Sequence, residues 1–177
     1  MAEREVYYDV ETQLSAQEVG GWQNVHLMRI AVAVSWSAAE GFRVWNEGAA
    51  PQLIEHLNTF DRVVSFNGDG FDSKVLSRYG DVSTIHQKSF DLLTDLKVRL
   101  GHRVTLDSLA QATLGVGKQA DGLQSLRWWK EGKVDEIVQY CTQDVQVLVD
   151  LTAFGRTKGF VLFTDRFGEM RRVAVRW

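Results

Sequence analysis

Tyr7-Tyr8-Asp9-Val10-Glu11-Thr12 stands near the start of a 177-residue chain. Residues 6–10 are rich in β-branched and aromatic side chains, which predicts a strand. Side chains alternate along a strand, so Asp9 and Glu11 point to the same face. Two neighbouring carboxylates repel each other and lose hydration if buried. A divalent cation relieves both penalties, because carboxylate oxygen is the ligand that Mg²⁺ and Mn²⁺ favour. Asp-x-Glu alone also fits a plainer arrangement, with Tyr8 and Val10 facing the core and both acids facing water.

Outward from this strand, residues 13–26 are polar, hold Gly20-Gly21 and read as a loop. Trp22 is its bulkiest apolar side chain, either folded back on the body or serving as a lid. Residues 27–36 alternate through Ile30, Val32, Val34 and Trp36, the period of a second strand. Residues 41–46 form a short third, giving an antiparallel meander. Pro51 suits a first helical turn, and Leu53, Ile54, Leu57 and Phe60 follow at helical spacing. Residues 62–66 read as a buried parallel strand. Asn67-Gly68-Asp69-Gly70 is a turn, with a helix expected over 71–79.

A brief strand over 88–92 and a helix over 93–100 come next. Asp107 is expected to cap a further helix that buries Leu109, Ala110 and Leu114 and ends at Gly115. A short helix over 123–130 precedes the longest one, over 134–153. Residues 160–164 and 170–177 alternate around 165–169, a hairpin. The order predicts an α/β fold with a mixed five-stranded sheet flanked by helices, plus a C-terminal β-hairpin. One domain over 1–155 with a basic appendage over 156–177 is the simplest division.

Hydrophobic residues make up 45 % of the chain and charged residues 24 %, which suits a soluble globular domain with a sizeable core. The single cysteine, Cys141, forms no internal disulfide, which fits a reducing compartment. No N-terminal apolar segment or membrane-length run is present, so a cytoplasmic location is expected. The formal net charge of −3 argues against coating nucleic acid by bulk charge, not against handling one of its ends locally. Charge is uneven. Residues 155–177 carry six basic and two acidic side chains, a balance of +4, so the remainder carries −7.

Two further acidic signals stand out. Asp72 falls at a helix start just beyond the 62–66 strand, at the sheet edge where sites gather; a helix-capping role fits equally. Tyr140 and Asp144 lie one turn apart on the longest helix, flanking the stripe of Ile137, Val138, Cys141, Val145 and Leu148. They either line a cleft or sit as an edge-packed ring and a solvated acid.

Together, Asp9-x-Glu11, Asn67-x3-Phe71-Asp72 and Tyr140-x3-Asp144 form an ordered set. The chain resembles the tyrosine-bearing (DEDDy) branch of the DnaQ-like 3′–5′ exonucleases, with an RNase H-like fold. The motif flavour is similar to the proofreading domains of family B DNA polymerases and to YprB-like RNase H-like domains. The motifs span residues 9–144, and the hairpin lies outside the resemblance. It implies two divalent cations, Mg²⁺ or Mn²⁺, held by Asp9, Glu11, Asp72 and Asp144, with Asp9 bridging. Such ions, about 4 Å apart, clamp the attacking and leaving oxygens of a phosphodiester. Tyr140 completes the catalytic set and orients the attacking water, since a free tyrosine with a pKa of about 10 is a poor base at neutral pH. Thr12, Asn67 and Phe71 match positions beside the terminal nucleotide. The implied activity is 3′–5′ exonucleolytic cleavage of a single-stranded end, DNA before RNA. The alternatives are an RNase H-like endonuclease, a binding module, or a subunit that meets a polymerase or helicase, or a second copy of itself, through its hairpin.

Other patterns carry less. Gly117-Lys118 matches a phosphate-binding loop only in part, with Ala112 in place of the first glycine and Gln119 in place of Ser/Thr. His26, His56, His86 and His102 lack metal-ligand spacing, and His56 reads as a helix-surface residue. Asp69 reads as a turn residue, while Asp91 has no evident role. Arg127-Trp128-Trp129-Lys130 reads either as a stacking platform or as core tryptophans with snorkelling cations.

Overall fold

The computed structural model describes residues 3–117 and 121–177. Lys118 and Gln119, the end of the partial phosphate-loop pattern, lie outside the described residues. Five strands form one sheet in the order β3-β2-β1-β4-β5: β1 (Glu5–Thr12), β2 (Ile30–Ser37), β3 (Gly41–Trp45), β4 (Arg62–Ser65) and β5 (Ser89–Asp91). β1, β2 and β3 pair antiparallel as a meander. β4 pairs parallel to both β1 and β5. The sheet is therefore mixed and five-stranded, as the sequence pattern predicts.

Both faces of the sheet are covered. On one, Tyr8 and Val10 pack with Leu53, Ile54 and Leu57 of α1 (Ala50–Asn58) and with Val75 and Leu76 of α2 (Asp72–Leu76). On the other, Tyr7, Val32, Val34 and Val64 pack against Ile137, Cys141, Val145 and Leu148 of α7 (Val134–Lys158). The alternation that buries Tyr8 and Val10 thus turns Asp9 and Glu11 toward α7. The arrangement with those acids in open water is not the one adopted.

Several boundaries differ from expectation for local physical reasons. The 13–26 loop contains a 3-10 helix, Trp22–Leu27, so β2 starts at Ile30 rather than at 27. The expected 71–79 helix is only α2, and the chain re-forms a helix at α3 (Ser83–Gln87). Thr105, not Asp107, caps α5 (Leu106–Leu109): its hydroxyl accepts from Ser108 N at 3.1 Å. A π-helical turn, Ala110–Leu114, follows and ends at Gly115. α4 (Leu92–Leu100) and α6 (Gly122–Lys130) fall near their expected places. α7 runs past 153 to Lys158 because Gly155 lies inside the helix, with Trp177 and Val175 against it, and Gly159 at φ +74° ends it. His56 is no surface residue, since its ring sits between Trp45 and Phe60 at 5.2 and 5.1 Å.

The hairpin, β6 (Phe160–Thr164) with β7 (Met170–Ala174), makes its own two-stranded sheet. Val161, Phe163, Val173 and Val175 are buried with Leu93 and Leu96 of α4 and Leu151 of α7. Thr113 Oγ1 brackets Leu162, donating to its carbonyl at 2.8 Å and accepting from its N–H at 2.9 Å. Trp128 and Trp129 pack on the α7 side of the sheet. No helix among the described residues is long and apolar enough to cross a membrane.

Candidate metal centre

The parallel ladder between β1 and β4 ends at Tyr7↔Val64. β1 continues beyond it, so Asp9 and Glu11 stand where its neighbour has turned away. The Val10 N–H freed there donates to Asp72 Oδ1 at 2.8 Å. That bond places the first residue of α2 beside β1. On the far side, the β1–β2 register slips between Glu11 and Thr12. Such irregularities re-aim side chains beside sites.

Asp9, Glu11 and Asp144 each offer a carboxylate oxygen, and these oxygens lie within 4.8 Å of one another. Asp72 is buried next to them. Among the described residues, none of these four acids pairs with a lysine, arginine or histidine. Electrostatics follow from that. Burial pushes the carboxyl of Asp9 up. Glu11 and Asp72 are raised well above the ordinary carboxylate range, first by burial and then by the charge of Asp9. Asp144 is pushed up to about 8 by burial, Asp9 and Asp107, with the Tyr140 hydroxyl opposing the rise. Tyr140 itself is raised well above its usual value, by burial and then by Asp144 and Glu11.

An all-oxygen cluster, with no cationic partner among the described residues, is the donor set of a hard divalent metal site. Ser125 Oγ on α6 adds to the fit. It is wholly buried, stands near Glu11, and has no hydrogen-bond partner assigned to it among the described residues. Cys141 Sγ donates weakly to Asp9 Oδ2 at 3.4 Å, one turn along α7 from the acid cluster's Asp144.

A cleft of about 650 Å³ opens beside the acids, walled by Thr12, Leu14, Trp22, Phe71, Leu123 and Leu126. Trp22 is 71 % exposed and meets Phe71 edge-on at 6.4 Å, so it lines the cleft mouth instead of burying itself in the body. Thr12 is buried, with its hydroxyl donating to Leu14 O at 3.0 Å. Asn67 takes a left-handed backbone at φ 65°; its N–H donates to Asp91 Oδ1 at 2.7 Å and its side-chain oxygen accepts from Arg103 at 3.2 Å. Of the eight residues singled out in the sequence, Asp9, Glu11, Thr12, Asn67, Phe71 and Asp72 line this cleft, while Asp144 meets Asp9 and Glu11 and the Tyr140 hydroxyl meets Asp144.

Sequence reasoning missed four neighbours. Asp91 accepts from Asn67, Asp69, Leu93 and Thr94 N–H groups, so it both caps α4 and braces the turn that carries Phe71 and Asp72. Gly68 belongs to that turn because a Cβ there would meet the Ser65 side chain. Ser125 and Arg103 are the others. Only Asp91 carried a legible signal, as an aspartate directly before a helical pattern.

Residues 6–154 match the model of the RNase H superfamily, and the chain belongs to that superfamily. Its members are usually metal-dependent nucleases that use divalent cations. A solved family B DNA polymerase from the hyperthermophilic archaeon Pyrobaculum calidifontis is similar, with a TM-score of 0.62 and 15 % identity over 88 % of this chain. The chain spans only 25 % of that polymerase, and at this identity the likeness is one of fold. No curated protein matches the sequence. The family match stops before β6, so the hairpin lies outside it.

Proposed function

We propose that this chain is a metal-dependent 3′–5′ exonuclease that hydrolyses the terminal phosphodiester of single-stranded nucleic acid, DNA in preference to RNA. The observation that carries this reading is the meeting of Asp9, Glu11 and Asp144 within 4.8 Å, with no cationic side chain among the described residues to balance them. Asp9, Glu11 and Asp144 would hold one divalent cation, and Asp9 with Asp72 a second, Mg²⁺ or Mn²⁺. Such ions, when bound, supply Lewis acidity and a water acidic enough to attack at neutral pH.

The chain's own residues do the rest. An ordinary tyrosine keeps its proton at neutral pH, and in the metal-free protein burial and then the nearby acids hold Tyr140 well above even that value. It therefore orients the attacking water through its hydroxyl and does not remove a proton. Phe71 and Trp22 offer ring surface to the terminal base, and Thr12 and Asn67 shape the floor and rim beneath its sugar. The apolar walls of Leu14, Leu123 and Leu126 exclude water from the bound end. Residues 1–155 make this catalytic unit and 156–177 an appendage to it. The ordered DEDDy motifs support the polarity, and the lone reduced cysteine supports action in the cytoplasm.

The test is digestion of a 5′-labelled single-stranded DNA, an RNA of the same sequence and a single-stranded DNA circle with Mg²⁺ or Mn²⁺. A ladder shortening from the 3′ end, slower on RNA, with the circle intact, is the expected result. A cut circle would replace this reading with an endonuclease of the same fold.

A further inference from the structure

The cleft beside the acids is the first of three adjoining cavities. It shares Asp9, Phe66 and Asn67 with a second of about 350 Å³. The second shares Arg103, Val104 and Thr105 with a third of about 610 Å³, which ends at the tip of the β6–β7 hairpin. A continuous depression thus leads from the carboxylates to an element that the superfamily match does not include.

The tip has a specific make-up. Phe167 is 72 % exposed. The Arg166 guanidinium sits 4.8 Å from that ring's centroid. Asp165 accepts from the N–H groups of Phe167 and Glu169 at 2.8 and 3.0 Å, which fixes the turn. Its charge is satisfied by Arg171 at 2.8 Å. Arg103 and Arg166 have no carboxylate partner among the described residues. The hairpin is held to the body by Ser108, whose hydroxyl brackets Thr164, and by Thr113. An exposed ring and guanidinium groups without a carboxylate partner, on a fixed support, are what a single strand needs for stacking and phosphate contact.

We propose that the strand being degraded runs from the acids past Arg103 to the hairpin tip, where Phe167 stacks on a base and Arg166 contacts a phosphate. This rests on the nuclease reading above. It gives the hairpin a role the fold itself does not require: holding several nucleotides of the strand behind the bond that is cut.

The experiment uses full-length protein carrying Asp144→Asn to stop turnover, with 5′-fluorescein single-stranded DNA of 3, 6, 9 and 12 nucleotides, read by anisotropy at several salt concentrations. The parent is expected to bind the 12-mer at least tenfold tighter than the 3-mer. Adding R166A and F167A together should remove most of that gain and lower the salt slope by about 0.7 for the lost phosphate contact. Phe167→Trp should keep the gain. Both side chains are exposed, and an unchanged thermal midpoint verifies the fold. A double variant with the parent's length dependence overturns the proposal and leaves the tip to a protein contact. A parent that is blind to length, beside a wild type that degrades DNA, overturns it alone. Binding to no length, with no cleavage by the wild type, sinks the nuclease reading and this one together.

Discussion

Asp9 sits at the centre of the chain's least comfortable electrostatics. Its carboxylate lies among those of Glu11, Asp72 and Asp144 with no balancing side chain among the described residues, so the metal-free protein holds these groups at a cost. Each has a folded pKa above its unfolded value. Such a group favours folding below the unfolded pKa and ceases to as pH rises through the folded one. Between about pH 4 and about pH 8, the raised position of Asp144, the metal-free protein should lose stability on the order of 3–5 kcal/mol. The urea midpoint in EDTA should fall across that window. Glu47, held at about 2 by the Arg29 hydrogen bond, gains its contribution as pH rises from there to its ordinary value, so it is complete near the foot of this window. Glu11→Gln removes one repelling charge. In EDTA at pH 7.5 it should raise stability by about 1–2 kcal/mol while abolishing hydrolysis. Tyr140→Phe should lower kcat by about 10–100-fold with little change in KM, as expected for a group that orients the attacking water. At this scale the sequence was legible where partners are near: period two put Asp9 and Glu11 on one face, and one helical turn joined Tyr140 to Asp144. Ser125 was not legible, because a serine on a short helix carries no mark of the distant glutamate it faces.

Elements hold these residues through connections that mostly skip along the chain. Asp91 ends β5, caps α4 and accepts from Asn67 and Asp69 in the turn after β4. Asp91→Ala should cost about 2–3 kcal/mol, for the backbone donors it strands. It should also slow hydrolysis, because the turn that presents Phe71 and Asp72 loses its brace. Urea unfolding and kcat/KM measured on one preparation check both. Gly155 lies within α7 under the Trp177 ring, whose Nε1 donates to Asp95 Oδ2 at 2.8 Å. Gly155→Ala gains helix propensity of about 1 kcal/mol. It overpacks the contact by about 1–3 kcal/mol, so a net loss of stability is expected, with blue-edge changes in tryptophan fluorescence. The sequence pattern placed all seven strands. It misjudged helix ends wherever tertiary packing overrode local signals, as at α2, cut short at Leu76, and at α7, carried through a glycine.

The whole molecule is a sheet with both faces covered, opened at one edge where β1 outruns β4. That edge is where a superfamily fold and a four-acid motif coincide, and neither alone says what is hydrolysed. The fold class was readable because meander, parallel strand and long helix each have their own hydrophobic period. The hairpin's packing was not, since its partners on α4 and α7 are set by the third dimension. Mg²⁺ or Mn²⁺ binding should raise the thermal midpoint and flatten its pH dependence, because bound cations replace the missing countercharge. The most direct measurement is hydrolysis of a 5′-labelled single-stranded DNA by the wild type and by Asp9→Ala, each with Mg²⁺, with Mn²⁺ and with EDTA. Stepwise shortening by the wild type with either metal, and none with EDTA or with Asp9→Ala, is the expected result. Cleavage that persists in EDTA, or that Asp9→Ala performs as well as the wild type, would contradict a reaction centred on these carboxylates.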